Sequence, residues 1–182
     1  MQFSPVSCLS RDGRPYIIRP ITGNDAAQAI DFLRTVDGET RFLAREPGEF
    51  NLTLEQERDF LQRRLESPRI WMAAAEMAGQ LVGICGVDEQ SSHLRMRHRA
   101  TLAISLRQSH WRCGIGSNLL QAAIAWCKQQ GFEQLELEVV AGNTRALALY
   151  ERFGFVAYGT RPHALKYADG SYGDEICMVL TM

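Results

Sequence analysis

The chain has 182 residues, with 20 Lys and Arg against 21 Asp and Glu and a formal net charge of -1. Apolar residues make up 46% and charged ones 23%, the balance of one globular domain with a sizeable core. These figures exclude the basic excess of a nucleic-acid binder, and no run is apolar for long enough to span a membrane.

The opening stretch, MQFSPVSCLSRDGRP, holds no apolar core of signal-peptide length, so a cytoplasmic protein is expected. Residues 1–13 read as a loosely ordered leader, and the domain is expected over 14–182. Tyr16 to Arg19 reads as a short strand ended by Pro20. Asn24 is placed to cap a helix with Ala27, Ile30, Leu33 and Val36 on one face. Asp37 to Phe50 lacks a period and reads as a long loop, a kind of segment that is often functional in compact domains. Thr53 and Gln56 have capping-box spacing, so a second helix is expected from Leu54 to Glu66.

Arg69 to Glu76 and Leu81 to Val87 are strand-length apolar runs joined by MAGQ, which predicts a hairpin. The basic run LRMRHR, Leu94 to Arg99, reads as a solvated loop before a strand over Ala100 to Leu106. Ile115, Leu119, Ala123 and Cys127 then recur at helical spacing until Gly131 stops the helix. In LELEVV, Leu135, Leu137 and Val139 share one strand face, and Glu136 and Glu138 share the other. Asn143 caps a short helix ending at Gly154, with Leu147, Tyr150 and Phe153 on its stripe. Two closing strands, Phe155 to Tyr167 and Glu175 to Leu180, turn at Asp169-Gly170. The order β-α-α-β-β-β-α-β-α-β-β makes an α+β domain. Its mixed, mostly antiparallel sheet has about seven strands and about four helices, with one central β-α-β crossover.

The chemistry concentrates at HWRCGIGSNLL, His110 to Leu120. A strand, a glycine-bearing turn and a helix aim unpaired backbone N–H groups at one spot, and the helix dipole adds partial positive charge there. Gly114 and Gly116 let a phosphate come close; on spacing alone they serve equally as a tight strand-to-helix turn. A dinucleotide motif fails because Leu119 holds the third glycine position and only one crossover follows. The lysine of a P-loop is absent. The cysteines (Cys8, Cys85, Cys113, Cys127, Cys177) are scattered, and the histidines have no metal-ligand spacing, so neither a disulfide framework nor a metal site is expected.

ISLRQSHWRCGIGSNLL resembles the pyrophosphate-binding motif of the GNAT superfamily of acetyl-CoA-dependent N-acetyltransferases, Q/R-x-x-G-x-G/A, with Trp111 where Gln or Arg is usual. LEVVAGNTRALALYERFGF resembles the family's second half through N-x-x-A-x-x-L-Y-x-x-x-G-F. The resemblance covers nearly the whole ordered domain and looks nearest to the ribosomal-protein N-acetyltransferase-like branch.

That resemblance implies acetyl-CoA as co-substrate, a primary amine as acceptor and no metal. Pantetheine would pair with backbone at Ile104 and Leu106, in a gap between the strands that flank the crossover. Arg112, Cys113, Gly114, Ile115, Gly116 and Ser117 would hold the pyrophosphate, and Asn143 the pantetheine arm. Tyr150 would bind near the sulfur and act as acid, with Glu138 as base, directly or through water. Cys113 has no paired base in sequence, and His110 matches a packing position before the turn. The acceptor is a small-molecule amine or a protein N-terminus, rimmed by Asp37 to Phe50 and Tyr167 to Asp174. Members of the family often dimerise, so a homodimer is an expected partner state, without nucleic acid or membrane. The departure at Trp111 keeps one alternative open, an acyl-CoA-sensing module without transfer.

Overall fold

In the computed structural model, which describes residues 3–182, alternating apolar residues build one eight-stranded sheet. The strands are β1 (Val6–Leu9), β2 (Pro15–Pro20), β3 (Ile70–Met77), β4 (Gln80–Glu89), β5 (Arg99–Leu106), β6 (Gln134–Val140), β7 (Val156–Lys166) and β8 (Tyr172–Thr181). The helices are α1 (Ala26–Glu39), α2 (Leu54–Glu66), α3 (Ile115–Gln129) and α4 (Thr144–Arg152). The sheet order is β1-β2-β3-β4-β5-β6-β8-β7; β5 and β6 are parallel, joined through α3, and the other neighbours are antiparallel.

Two sequence expectations are corrected. Val6–Leu9, assigned to a loose leader, is the eighth strand, pairing from Val6↔Ile18 to Leu9↔Pro15. Its side chains stay mostly exposed, so the strand is held by ladder hydrogen bonds and leaves little apolar pattern to read. Met1 and Gln2 lie outside the described residues. The buried face of α1 is Ala26, Ala29, Phe32 and Val36, one position away from part of the expected stripe. The N-cap differs as well: it is Asp25, not Asn24, and the Asp25 carboxylate accepts the Thr22 N–H at 2.8 Å and pairs with Arg19 at 2.7 Å. By contrast, Thr53 and Gln56 form the expected capping box of α2. The hairpin turn between β3 and β4 places Ala78 and Gly79 at positive φ.

Two cores flank the sheet. On one face α3 and α4 cover Ile18, Cys85, Leu102, Leu135 and Leu137; on the other α1 and α2 cover Ile21, Ala74, Leu81 and Ile84. Leu119 and Leu120 are fully buried, each worth roughly 1.5–3 kcal/mol over exposure. Among the described residues no helix is long and apolar enough to cross a membrane.

The loop after α1 is pinned from beneath. Arg45 forms a two-pronged pair with the buried Asp37, at 2.8 and 2.9 Å. Glu57 of α2 is also buried, and its Oε1 has no hydrogen-bond partner among the described residues. Burial pushes its carboxyl above the ordinary glutamate range, and the Arg45 charge offsets only part of this. Between the ordinary and raised pKa, the folded protein holds a proton that the unfolded chain has lost. Stability therefore falls as pH rises through that window. Glu57→Gln is expected to raise the melting temperature at pH 7, with a smaller gain at pH 4. Melting curves at the two pH values check this; a lowered melting temperature at pH 7 contradicts it.

Candidate active site

The parallel ladder between β5 and β6 runs only from Arg99↔Gln134 through Ala100↔Leu135 to Thr101↔Glu136. Beyond Thr101 the strands part, while β5 stays paired to β4 as far as Leu106↔Gly83. The Arg107 N–H donates to Val82 on the β4 side at 3.0 Å. Strand alternation then turns the backbone groups of Ile104 and Leu106 toward the gap. One of them is already taken: the Leu106 carbonyl accepts the Trp111 indole N–H at 3.1 Å. The Ile104 N–H and C=O and the Leu106 N–H stay open to a ligand.

At the mouth of the gap the chain turns sharply. Arg112 has φ 64 and Gly114 φ 87, and Gly114 is the N-cap of α3. The first intrahelical bond runs from the Asn118 N–H to the Gly114 carbonyl at 3.2 Å. The N–H groups of Ile115, Gly116 and Ser117 precede it and face outward along the helix dipole. Arg145, in the first turn of α4, stacks on the Trp111 ring, 3.5 Å from its centroid. Burial lowers the Arg145 pKa, and the like charge of Arg112 lowers it further. Neither arginine has a carboxylate partner among the described residues. Two guanidinium groups without a carboxylate partner, near free amides, suit a phosphate or diphosphate.

Cys113 lies within the turn; its thiol donates to the Trp111 carbonyl at 3.5 Å, and no carboxylate or histidine hydrogen-bonds to it among the described residues. His110 Nδ1 meets Ser109 Oγ at 2.9 Å. Burial, followed by the Arg14 and Arg107 charges, lowers the His110 pKa, so the ring is neutral near pH 7.

Beyond the gap, the Asn143 side chain accepts the Ala146 N–H at 3.2 Å and caps α4. Tyr150 is 7% exposed and packs against Phe155, with ring centroids 5.7 Å apart. Its hydroxyl has no hydrogen-bond partner among the described residues. Burial above all, with a smaller push from Cys85, raises its pKa, so Tyr150 is a neutral phenol.

Tyr150 shares its core with Leu137 and Val139, whereas Glu138 projects from the opposite face of β6. The two candidate catalytic groups therefore lie on either side of the strand that borders the gap. The Glu138 side chain is 38% exposed and lies 3.5 Å from Arg161 of β7. Glu136, on the same face, is held by Arg99 in a two-pronged pair at 2.5 and 2.7 Å. That pair leaves Glu138 as the freer carboxylate.

The segments expected to rim one opening do meet. Arg41 reaches Ser171 Oγ at 3.0 Å and lies 3.9 Å over the Tyr167 ring. Glu46 accepts the Ala168 N–H at 2.9 Å. A Cβ placed on Gly142, just past β6, would lie 3.6 Å from Phe42. Sequence reasoning missed Arg145, Trp111 as an anchor, and Arg161. Arg145 follows a capping residue and carries no pattern of its own; only the Trp at position 111 hinted at a relocated cation.

Residues 31–155 match the acetyltransferase (GNAT) family, and the chain belongs to that family. It is an acetyl-CoA-dependent N-acetyltransferase by that membership. The chain is 28% identical over 123 residues to a putative ribosomal protein bS18-alanine N-acetyltransferase of Bacillus subtilis, covering 68% of this chain and 76% of the relative. It is 30% identical over 120 residues to the L-amino acid N-acetyltransferase AaaT of Escherichia coli, covering 64% of this chain and 72% of the relative. A GNAT-family acetyltransferase of Streptococcus pneumoniae superposes with a TM-score of 0.87 at 30% identity, over 92% of this chain and 99% of that one. The fold is shared with Salmonella typhimurium yncA, solved with acetyl-CoA (TM-score 0.79, 16% identity, 90% of this chain and 92% of that one).

The two glycines of the turn differ in what they tolerate. Gly114 sits at positive φ, so Gly114→Ala is expected to cost about 1–2 kcal/mol and to weaken acetyl-CoA binding. A Cβ on Gly116 would meet Leu106 at 3.4 Å and Leu149 at 3.7 Å, close to ordinary contact. Gly116→Ala should therefore be mild. Chemical denaturation and calorimetric titration of both variants check the order; equal losses contradict it.

Proposed function

We propose that the protein moves the acetyl group of acetyl-CoA to a primary amine by direct attack, with donor and acceptor bound together. The observation that carries this reading is the parting of β5 from β6 beyond Thr101, with Tyr150 on one face of β6 and Glu138 on the other. The donor supplies a thioester, an activated acetyl group on a sulfur that leaves readily. Its pyrophosphate fits the turn from Arg112 to Ser117, with its free N–H groups, the Arg112 side chain and Arg145 stacked on Trp111. Its pantetheine arm fits the open backbone of Ile104 and Leu106, and the Asn143 side chain reaches the same arm.

The acceptor enters from the face of Glu138. Glu138 takes a proton from the ammonium, directly or through water, and frees the nitrogen lone pair. A backbone N–H of the Ile104 to Leu106 segment meets the negative charge that grows on the thioester oxygen. The Tyr150 hydroxyl donates to the sulfur as the C–S bond breaks, and the phenol recovers its proton from solvent. Its raised pKa holds that proton until charge builds on sulfur. Arg161 keeps Glu138 oriented while leaving it in reach of solvent.

The loop from Thr40 to Thr53 and the β7–β8 tip frame the acceptor. Their charges are of both signs, with Arg41 paired to Asp169 and Glu46 accepting the Ala168 N–H, so they select neither a polycation nor a polyanion; the acceptor is a small-molecule amine or a protein N-terminus. In this reading the protein works in the cytoplasm, as a homodimer.

Tyr150→Phe is expected to lower kcat by about 10²-fold while acetyl-CoA affinity moves little. Glu138→Gln should lower kcat by at least about tenfold, with partial recovery at high pH, where more of the amine is already neutral. Thiol release over a panel of amines, paired with calorimetric titration, checks both. Tight acetyl-CoA binding with no thiol release from any amine would mark a sensing module instead.

A further inference from the structure

The N–H groups of Ile115, Gly116 and Ser117 serve a ligand only while the first turn of α3 keeps one orientation over the sheet. Apolar packing alone does not fix it. Leu119 and Leu120 bury α3 against the strands, but the hydrophobic effect has no direction, and a helix rolls and tilts on such a surface. The turn before α3 also resists its own shape. Arg112, a residue with a Cβ, stands at φ 64, a left-handed conformation that costs free energy and persists only where its surroundings hold it.

The hold comes from β1, β2 and the turn between them. Tyr16 of β2 is 3% exposed, and its hydroxyl accepts a hydrogen bond from Asn118 Nδ2 at 2.6 Å. Asn118 closes the first turn of α3, because its N–H makes the bond to the Gly114 carbonyl. A directional bond thus runs from a buried strand residue to the start of the helix, although β3 and β4 separate β2 from β5. Burial above all raises the Tyr16 pKa to about 12, so the phenol stays neutral and the bond is not switched near pH 7.

The β1–β2 turn adds two contacts just before the N-cap. The Arg11 N–H donates to the Cys113 carbonyl at 2.9 Å, and Arg14 Nη2 donates to the Cys113 sulfur at 3.7 Å. That turn is closed on itself: the Ser10 N–H meets the Arg14 carbonyl and the Gly13 N–H meets the Ser10 carbonyl, both at 2.9 Å. Arg112 therefore lies between Trp111, tied to β5, and Cys113, tied to the β1–β2 turn.

We propose that Tyr16 is a positioning residue for the donor: through Asn118 it sets the orientation of the first turn of α3, and with the β1–β2 turn it holds the strained turn in the shape that offers its N–H groups. The inference rests on the donor reading above and adds to it a residue outside the gap and the turn. A turn that spends part of its time in another shape binds with affinity reduced by that fraction. Loss of the brace thus appears in donor affinity and not in the chemical step.

The test uses the full chain, acetyl-CoA and the variants Tyr16→Phe, Asn118→Ala and the two together. Each single variant is expected to raise the dissociation constant and the KM of acetyl-CoA by about twofold to tenfold, the range of one neutral hydrogen bond. At saturating donor, kcat should stay within about twofold of wild type, because the chemical step is untouched. The double variant should match the single ones, since both remove the same bond. Without donor, the Asn118 amide should exchange faster in Tyr16→Phe, while Ala123 and Cys127, farther along α3, keep their wild-type rates. Asn118 is half-buried and alanine suits a helix, so Asn118→Ala carries the test if Tyr16→Phe is unstable. Unmoved acetyl-CoA affinity in the folded single variants overturns the inference, whatever happens to melting temperature or kcat. Losses that multiply in the double variant overturn it too, and either result leaves the donor reading intact. A wild type that binds no acetyl-CoA defeats the donor reading, and this inference with it.

Discussion

The site depends on a ladder that stops. β5 is paired along its length with β4, and β6 along its length with β8, so each strand belongs to a firm half-sheet. The halves join at only three residue pairs, from Arg99↔Gln134 to Thr101↔Glu136. The Arg99–Glu136 ion pair closes the vertex where pairing ends. Beyond it, backbone groups of a central strand are left facing a gap instead of a neighbour. Unpaired buried amides cost free energy. An extended ligand with amide groups of its own would satisfy them, which is the role proposed for the pantetheine arm.

Strand periodicity then divides the labour. Side chains alternate along β6, so Leu137 and Val139 lie with Tyr150 in the α3–α4 core while Glu138 stands on the other side. A phenol raised in pKa by burial and a solvent-reaching carboxylate thus lie on either side of one strand, each in an environment suited to its proton. Donor and acceptor need not compete for one entrance. In the proposed function the turn of α3 serves the donor, and the contact between the Thr40 to Thr53 loop and the β7–β8 tip borders the acceptor side.

Much of this was legible in the sequence, because it rests on local rules. The α2 capping box, the β3–β4 hairpin, the alternation in LELEVV and the glycines of HWRCGIGS each carry a short-range signal. What escaped depends on distant partners. β1 is an exposed edge strand, defined by its pairing with β2. The α1 cap is Asp25, whose carboxylate answers to Arg19 on β2 as well as to Thr22. Glu136 and Glu138 share one strand face in sequence; in the fold Arg99 takes Glu136, while Glu138 stays exposed beside Arg161. Trp111 reads as a departure from its motif. In the fold its indole N–H holds the Leu106 carbonyl, and its face carries Arg145, a cation from another helix placed beside the same turn.

The central claim is that free amides in the β5–β6 gap and at the start of α3 are completed by the donor. Amide hydrogen exchange resolved to single residues, with and without acetyl-CoA, tests it most directly. The account predicts slowed exchange at Ile104, Leu106, Ile115, Gly116 and Ser117 on binding. Donor binding that leaves those amides exchanging at their free rates, with protection centred elsewhere in the chain, would contradict it.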